Sequence, residues 1–465
     1  MAEQFDIIII GSGPGGYVAA IRAAQVGLKT AIIEKDKKFG GTCLHRGCIP
    51  TKALLHAAYL YEQTKHLDEF GILADNIKLD VPKLQSKKDR IVKKLSMGVE
   101  FLLKKNKVQQ FFGYGRIKSA TEVEVTGDDK KSQILKTKNI ILATGSEPRW
   151  LPNLVPDGKG IITNNEALAL DKVPKSMLIV GAGAIGVEFA SIYVSFGTEI
   201  SLVEVLPNIL PIEDEEISKE LAKIFAKRGI SVSTNTKVES VTTTKGGYEA
   251  KISKEGKVEV KTFEKILVAV GRKPNTENIG LENTRIKTTK GFIEVNQFMQ
   301  TAEPTIYAIG DIVPTPQLAH VASAEGILAV EKIKGLNTPP INYDRIPSCT
   351  YCDPQVASVG LSEKKALERG HKIKVGKFPF TASSKASILD EGEGFVKIIA
   401  DEKYGEILGV HILHAHSTEM ISEAVAVLNG ELAAEDLAHS IHPHPTLSEA
   451  IAEATHAIYG HAIHI

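Results

Sequence analysis

The chain carries the same unit twice: a buried strand, a glycine-rich loop, a helix, a second strand and then an acid. In the first copy the strand covers residues 7–10, and Glu34 follows Gly16 by 18 positions. Gly11, Gly13 and Gly16 have the spacing that lets a backbone and a helix N-terminus approach a pyrophosphate, and an acid so placed is suited to accept a ribose hydroxyl. A short, fully apolar strand is typical of a parallel sheet. The unit therefore predicts an α/β domain that binds a dinucleotide.

The second copy begins with a strand at residues 177–180 and ends at Glu204, 18 positions after the last glycine of its loop. The glycines of that loop are Gly181, Gly183 and Gly186. Two such units in one chain imply two dinucleotides rather than one. A carboxylate at Glu204 accepts a bond from a ribose 2′-hydroxyl but repels a 2′-phosphate, and residues 206–208 contain no arginine. We therefore expect the second site to prefer NAD to NADP, and a strand that ends near Gly271 to close the unit.

Just after the first unit, two cysteines lie five positions apart, at Cys43 and Cys48. On one continuous α-helix this spacing separates the Cα atoms by roughly 7.5 Å along the axis, whereas a disulfide needs less than about 7 Å. A bonded pair therefore requires a bend, for which Gly47 supplies the freedom. Pro50 predicts the first turn of a helix, so Cys48 would stand at a helix N-terminus that favours a thiolate, with Lys52 one turn further on. The residues alone leave open a redox pair, two buried thiols or a structural clip.

Bulk composition narrows the class of protein. The 465 residues allow two to four domains, and the formal net charge of zero gives no field that would attract nucleic acid or an anionic membrane. No apolar run reaches the ~18 residues of a membrane span. Residues 1–5 lead directly into a strand and lack the features of a secretory signal, and four cysteines are too few for a secreted disulfide framework. We expect a cytoplasmic protein, or a mitochondrial matrix protein from which a transit peptide has been removed.

Two later strands end in residues that are placed to touch a ligand. One covers residues 138–146 and reaches Thr144 and Gly145, and the other covers residues 301–311 and reaches Asp311. Between the two cysteines and these strands, residues 78–110 predict a basic helix, which is either a solvated face or a docking surface for an acidic partner.

In the last third of the chain, the alternation of apolar and polar residues changes. Residues 355–360 and 395–400 predict antiparallel strands, and the last helix opens at Thr446 with Glu449 three positions on. One interpretation of Glu449 is a capping box, in which its side chain binds the Thr446 backbone N–H. The other is a partner for His444, because a catalytic histidine needs a carboxylate to fix its tautomer. The residues alone leave both open.

Taken together, these motifs resemble the flavoprotein disulfide reductases from end to end. The stretch at residues 441–449 is most similar to the members that oxidise dihydrolipoyl groups. The resemblance implies an α/β fold of two Rossmann-like dinucleotide-binding domains plus a C-terminal α+β interface domain. It places the FAD-binding domain at residues 1–147 and 275–345, the NAD-binding domain at 148–274 and the dimerisation domain at 346–465.

The resemblance also implies the site residues. FAD would be bound by Gly11, Gly13, Gly16, Glu34, Gly41, Thr42, Lys52, Thr144, Gly145 and Asp311. NAD would be bound by Gly181, Gly183, Gly186, Glu204 and Gly271. Catalysis would use Cys43, Cys48, Lys52, Glu188, His444 and Glu449, and no metal is expected.

The implied chemistry is the oxidation of a lipoyl dithiol with reduction of NAD. His444 would take a proton from the substrate, the substrate thiolate would attack Cys43, and Cys48 would leave as a thiolate. The partners would be a second copy, whose cysteines this chain's histidine serves, and a lipoyl-bearing acyltransferase or carrier protein of a 2-oxoacid dehydrogenase or glycine-cleavage complex. Lys52 would be partnered by Glu188. The alternatives are another disulfide reductase, such as one for glutathione, or a flavoprotein kept as an assembly subunit.

A few residues depart from the family pattern or fall outside it. His45 and Arg46 add charge between the cysteines. We expect His414 and His416 to be surface residues rather than metal ligands, and Cys349 and Cys352 to be strand-lining thiols. The histidine-bearing stretch at 456–465 contains no run of six histidines.

Overall fold

The computed structural model describes residues 4–465. The expectation for residues 1–3 lies outside that range, and from Gln4 onward the chain is in a strand, as expected. The strands are β1 (Gln4–Ile10), β2 (Thr30–Glu34), β3 (Gln109–Phe112), β4 (Tyr114–Ser119), β5 (Glu122–Thr126), β6 (Ser132–Leu142), β7 (Ser146–Pro148), β8 (Ile161–Ile162), β9 (Ser176–Val180), β10 (Glu199–Val203), β11 (Ser231–Ser233), β12 (Thr236–Thr244), β13 (Gly247–Lys254), β14 (Lys257–Phe263), β15 (Lys265–Val268), β16 (Arg272–Pro274), β17 (Thr288–Thr289), β18 (Phe292–Ile293), β19 (Ile306–Ala308), β20 (Ser348–Thr350), β21 (Gln355–Gly360), β22 (Ile373–Pro379), β23 (Phe395–Asp401) and β24 (Ile407–His414).

The α-helices follow the same chain order. They are α1 (Pro14–Gln25), α2 (Gly41–Arg46), α3 (Cys48–Gln63), α4 (Val81–Lys105), α5 (Asn164–Ala167), α6 (Ala184–Ser195), α7 (Glu215–Lys227), α8 (Ala319–Lys334), α9 (Glu363–Glu368), α10 (Ser384–Leu389), α11 (Ser417–Asn429), α12 (Ala434–Ala438) and α13 (Glu449–Ala457). Among residues 4–465, no helix combines the length and the apolar character needed to cross a membrane.

The first sheet is built around β1. Its parallel strands run in the order β3-β2-β1-β6-β19, and β5 and β4 extend β6 as an antiparallel pair. The isoleucines of β1 are almost completely buried, because both faces of a parallel sheet are covered. Helix α1 follows β1 directly and buries small residues at Gly15, Gly16, Ala19, Ala20 and Ala23.

The second sheet repeats this order with another part of the chain. Its five parallel strands run β11-β10-β9-β15-β8, so β9 and β10 occupy the places that β1 and β2 occupy in the first sheet. An antiparallel sheet of β12, β13 and β14 follows β11 in the chain. The prediction of two dinucleotide-binding units is confirmed.

The third large sheet is antiparallel and runs β20-β21-β24-β23-β22. Strands β21 and β23 confirm the antiparallel strands expected from the alternation. Helices α11, α12 and α13 contribute Ile421, Leu437 and Ile451 to the core that covers this sheet. This part is the α+β domain that the resemblance implied.

The chain divides into two compact units. One comprises residues up to 53 together with 82–149 and 272–341, and the other comprises 54–81, 150–271 and 342–465. The finer division into four segments at 147, 274 and 345 stays a prediction.

Candidate active site

The loop between β1 and α1 has the shape of a phosphate cradle. Gly11 has φ +103°, and a Cβ there would lie 2.2 Å from the Ala143 carbonyl oxygen. A Cβ on Gly16 would lie 2.0 Å from the Gly11 oxygen, whereas one on Gly13 would meet no atom within 4 Å. The outer two glycines are therefore required by the packing of the protein. The middle one borders open space at the N-terminus of α1, where a pyrophosphate fits.

Glu34 fixes the same loop from the end of β2. One carboxylate oxygen accepts the backbone N–H and the hydroxyl of Ser12, at 3.0 and 2.5 Å, and the other accepts the backbone N–H of Asp36 at 2.8 Å. The residue is buried at 5% exposure, and the oxygen that faces Asp36 retains a lone pair for a further donor. The position fits the ribose contact that the sequence predicts, although the loop itself uses part of the carboxylate.

The cysteine segment packs directly against this cradle. A Cβ on Gly41 would lie 2.5 Å from the Gly13 Cα, and the Gly40 N–H donates to the Ser12 carbonyl at 3.1 Å. Residues at the start of α2 therefore lie beside the middle glycine of the loop. This contact brings Gly41, and Thr42 next to it, to the site that the resemblance assigned to FAD.

The predicted bend between the two cysteines is present. Cys43 lies in α2, the helix ends at Gly47, and α3 begins at Cys48. A side chain at position 47 would approach the Thr42 carbonyl at 3.1 Å, which favours glycine there. Pro50 lies in the first turn of α3, as expected, and the helix ends at Gln63.

Cys43 and Cys48 are both free thiols, and they contact each other. The pKa of Cys43 lies well above its ordinary value, first because its thiol is hydrogen-bonded to the Cys48 sulfur and then because it is buried. The positive charge of Lys52 acts in the opposite direction on the same thiol. Cys48 is the first residue of α3, and a helix N-terminus favours a thiolate.

The other residues assigned to FAD converge from later parts of the chain. Thr144 donates its hydroxyl to the Asn275 carbonyl at 2.7 Å, and the Asn275 N–H donates to the Gly145 carbonyl at 2.9 Å. Asp311 follows β19 and accepts a hydrogen bond from the Ser146 hydroxyl.

Sequence reasoning missed Arg272 in this group. Its guanidinium donates to the hydroxyl and the carbonyl of Ser146 at 2.6 Å each, and it lies 3.8 Å from the Asp311 carboxylate. Burial lowers the pKa of Arg272, although the charges of Asp311 and Cys48 act to raise it. The available signal was its position immediately after Gly271, a residue assigned to the NAD site, and at the start of β16.

The loop between β9 and α6 repeats the first cradle closely. Gly181 has φ +101°, and a Cβ there would lie 2.4 Å from the Ala269 oxygen; a Cβ on Gly186 would lie 1.9 Å from the Gly181 oxygen. A Cβ at position 183 or 271 would meet no atom within 4 Å, so both positions border open space. Glu204 accepts the N–H groups of Ala182 and Leu206 at 2.8 and 2.9 Å, as Glu34 does in the first cradle.

Glu188 lies in the first turns of α6, directly after this second loop. It is buried at 5% exposure, and its carboxylate accepts the Tyr351 backbone N–H at 2.9 Å. Its pairing with Lys52 stays a prediction.

His444 lies just before α13 and contacts Glu449, the first residue of that helix. Nδ1 of His444 donates to one Glu449 oxygen at 2.8 Å, and the Thr446 backbone N–H donates to the other at 2.7 Å. Burial alone would raise the pKa of Glu449, but the Thr446 and His444 hydrogen bonds together hold it below its usual value. The two interpretations of Glu449 are therefore compatible, since each oxygen has one of the two roles. The imidazole remains accessible, with 71% of its side chain exposed.

The structure also places the residues that lie outside the family pattern, and it differs from the expectation for two of them, His414 and Cys352. The expectation of surface histidines is wrong for His414, which is fully buried at the end of β24 and packs on the Phe380 ring. Burial lowers its pKa to about 4, while His416 pairs with Glu391 at 3.1 Å. Within the described residues, no group of three or more His, Cys, Asp or Glu side chains is arranged to hold a metal ion.

The remaining pairs are also placed. Arg46 forms an ion pair with Asp36 at 2.7 Å, and His45 bonds to the Phe39 carbonyl at 2.9 Å. Cys349 lies in β20, as expected, whereas Cys352 is buried in the turn that follows the strand.

Comparison with known proteins agrees with this geometry. Residues 5–326 match the family described as pyridine nucleotide-disulphide oxidoreductase, and residues 346–455 match its dimerisation domain. A dihydrolipoyl dehydrogenase of Bacillus subtilis is 47% identical over 475 residues, covering 100% of both chains. The mitochondrial dihydrolipoyl dehydrogenase 1 of Arabidopsis thaliana is 42% identical over 468 residues, covering 100% of this chain and 92% of that one. The crystal structure of LpdA from Mycobacterium tuberculosis has a TM-score of 0.90 at 26% identity, covering 97% of this chain and 99% of that chain.

Proposed function

Because this chain belongs to the pyridine nucleotide-disulphide oxidoreductase family, we propose that it acts as an NAD-dependent dihydrolipoyl dehydrogenase. It is an oxidoreductase with a redox-active cysteine pair, and it uses FAD and NAD. The observation that carries the proposal is the position of Cys43 and Cys48: the bent segment that contains them packs through Gly40 and Gly41 against the first glycine cradle, and Lys52 lies one turn along α3.

The chain's own residues account for the exchange of the dithiol. His444 takes a proton from a substrate thiol, and Glu449 holds the imidazole so that Nε2 faces outward and supports its positive charge. The substrate thiolate attacks Cys43 of the oxidised pair, and the Cys43–Cys48 bond breaks as a mixed disulfide forms. Cys48 leaves as a thiolate at the N-terminus of α3. The second substrate thiol then attacks the substrate sulfur of the mixed disulfide, and the bond between that sulfur and Cys43 breaks. The oxidised substrate is released, and the proton of the second thiol passes to Cys43.

The two cradles fit the two cofactors. FAD, held by the first cradle with Glu34 and Asp311, supplies the two-electron chemistry that links the dithiol pair to nicotinamide. The second cradle, with Glu204 at the end of β10, holds NAD, and the Glu204 carboxylate disfavours a 2′-phosphate. Lys52 stabilises negative charge beside the cysteines, and Glu188 is its proposed partner.

The partners are proposed at two levels. The match to a dimerisation domain supports a homodimer. The substrate is the dihydrolipoyl group of an acyltransferase or carrier protein in a 2-oxoacid dehydrogenase or glycine-cleavage complex. The cytoplasm, or the mitochondrial matrix, is the proposed location.

His444→Ala tests the assignment of the base. Dihydrolipoamide oxidation should fall by a factor on the order of 10² to 10⁴, while electron transfer from NADH to a dye continues, because that reaction does not need the base. Glu449→Gln should cause a smaller loss of dihydrolipoamide oxidation, and electron transfer from NADH to the dye should again continue.

The choice of substrate is tested on the parent enzyme. NAD reduction should proceed with dihydrolipoamide and not with glutathione. Efficient turnover of glutathione would move the chain to another disulfide reductase activity. Flavin-bound protein that oxidises neither dihydrolipoamide nor glutathione would favour an assembly subunit.

A further inference from the structure

The segment that follows α13 folds back onto the helix and is held by a single carboxylate. One oxygen of Glu453 lies 2.8 Å from Nδ1 of His464. The other accepts the backbone N–H groups of Ile463 at 2.9 Å and His464 at 3.4 Å. The Glu453 side chain is only 12% exposed, so the charge of this carboxylate is partly removed from water. These three contacts fix where the His464 imidazole lies.

Glu453 is four residues after Glu449, so both carboxylates lie on the same face of α13. Each carboxylate is hydrogen-bonded to Nδ1 of a histidine at 2.8 Å: Glu449 to His444, and Glu453 to His464. Two like charges in this spacing repel each other. His464 lies close enough for its positive charge to help lower the pKa of Glu449, together with the bonds from Thr446 and His444.

We propose that His464 is a positioning residue for the dithiol reaction: through its contact with the Glu453 carboxylate it sets the charge that surrounds the His444–Glu449 pair. The inference deepens the proposed function and rests on it, since it concerns the base of that reaction. His464 does not itself touch substrate; it acts through the electric field at the base.

Other charged groups also lie near α13, and some of them are paired with side chains elsewhere. On β22, which packs against the helix, Lys377 lies near Glu216 at 3.4 Å and Lys374 is exposed. On α12, Glu435 and Asp436 raise the pKa of Tyr459, secondary to its burial. His442, before the base, is paired with Glu423 at 2.7 Å, and His456 lies one turn beyond Glu453 on α13. After His444, the side chain whose charge acts on the Glu449 carboxylate is therefore His464, which contacts Glu453.

His464→Gln tests this proposal through the pH dependence of kcat/KM for dihydrolipoamide, with rates normalised to bound FAD. The variant leaves Glu453 without its cation, so the local field favours the protonated base. The acidic limb of the profile should move to higher pH by about 0.3 to 0.5 unit, the effect of one charge a helical turn away in a water-like dielectric. Near pH 6 this corresponds to a loss of roughly two- to threefold, since a tenfold change accompanies each pH unit on that limb.

Two further variants separate charge from packing. His464→Lys keeps a positive charge and should retain the parent profile. Glu453→Gln with His464→Gln removes both charges and should return the limb close to the parent position, although the segment has lost its anchor. Equal loss of activity in all three variants with an unmoved limb would overturn the proposal, because that is the result of a purely structural role. A failure of the proposed function looks different, since His444→Ala would then leave dihydrolipoamide oxidation intact.

Discussion

At the scale of the residue, the carboxylates at the strand ends have two tasks. Glu34 and Glu204 each accept an N–H from the glycine loop before them and an N–H from two residues after them. Each acid therefore holds the loop in its open shape as well as presenting oxygens to a ribose. This double use couples the choice of dinucleotide to the conformation of the loop.

Glu204→Gln should narrow the preference for NAD over NADP. The substitution removes the negative charge that repels a 2′-phosphate, and a change of about tenfold in the ratio of kcat/KM values corresponds to roughly 1.4 kcal/mol. NAD binding should also weaken somewhat, because an amide NH₂ cannot accept one of the two loop N–H groups. Glu199→Gln, an exposed site at the start of β10, is the matched control and should leave the ratio unchanged. An unaltered ratio in Glu204→Gln would assign the selectivity to other groups.

The residues that could be predicted are those whose role depends on their neighbours in sequence. Glu204 and Glu449 were found because a fixed spacing relates each of them to a loop or a histidine. Arg272 was missed because its partners, Ser146 and Asp311, are far away in the chain. The burial of His414 was missed for a similar reason, since only the strand order places β24 in the interior of its sheet.

At the scale of the element, the strands and helices of both units follow from short-range pattern. The repeated unit predicted a helix directly after each glycine loop, and α1 and α6 are these helices. Strand β19 lies within the strand predicted at residues 301–311, whereas the pattern did not predict β8. Strand β8 is two residues long and pairs with β15 from a distant part of the chain.

Substitution of two glycines in the second loop should distinguish an effect on folding from an effect on NAD binding. Gly186→Ala places a methyl group 1.9 Å from a backbone oxygen, so it should lower the melting temperature and abolish NAD binding. Gly183→Ala has open space and φ −73°, so the fold should be retained. Its methyl group should nevertheless weaken the binding of NAD, because it obstructs the pyrophosphate. A rise in the KM for NAD would report this effect. Unchanged KM in Gly183→Ala, with a normal melting temperature, would place the cofactor elsewhere.

At the scale of the whole molecule, an ionic cluster around a buried lysine joins parts of the second unit that are far apart in sequence. Lys397 on β23 is 1% exposed and lies 3.0, 2.9 and 2.7 Å from Asp214, Glu216 and Glu363. Asp214 also caps α7 by accepting the Glu216 N–H at 3.1 Å. The cluster therefore connects the helix after the second dinucleotide unit to the antiparallel sheet.

Lys397→Met should destabilise this unit by about 3 to 5 kcal/mol, because it leaves the Asp214 carboxylate buried without its cation. Burial alone would raise the pKa of Asp214, but His411 and Lys397 hold it below its usual value. A carboxylate with a depressed pKa stabilises the fold above its unfolded pKa of about 3.9 and loses that contribution as the pH falls. The difference between the variant and the parent in thermal unfolding should therefore shrink below about pH 4. Lys374→Met, at an exposed position on neighbouring β22, is the control and should have little effect.

The last prediction concerns the dimer. If His444 of one chain serves the cysteines of the other, a mixed dimer of His444→Ala and Cys43→Ser chains contains one intact site. That site pairs the cysteines of the first chain with the histidine of the second, so such dimers should retain about half of the parent activity toward dihydrolipoamide. Each homodimeric variant should be nearly inactive, since it lacks either every base or every complete cysteine pair. Differently tagged chains, refolded together and purified by both tags, allow the measurement. Inactive mixed dimers with a full content of FAD would mean that each chain uses its own histidine.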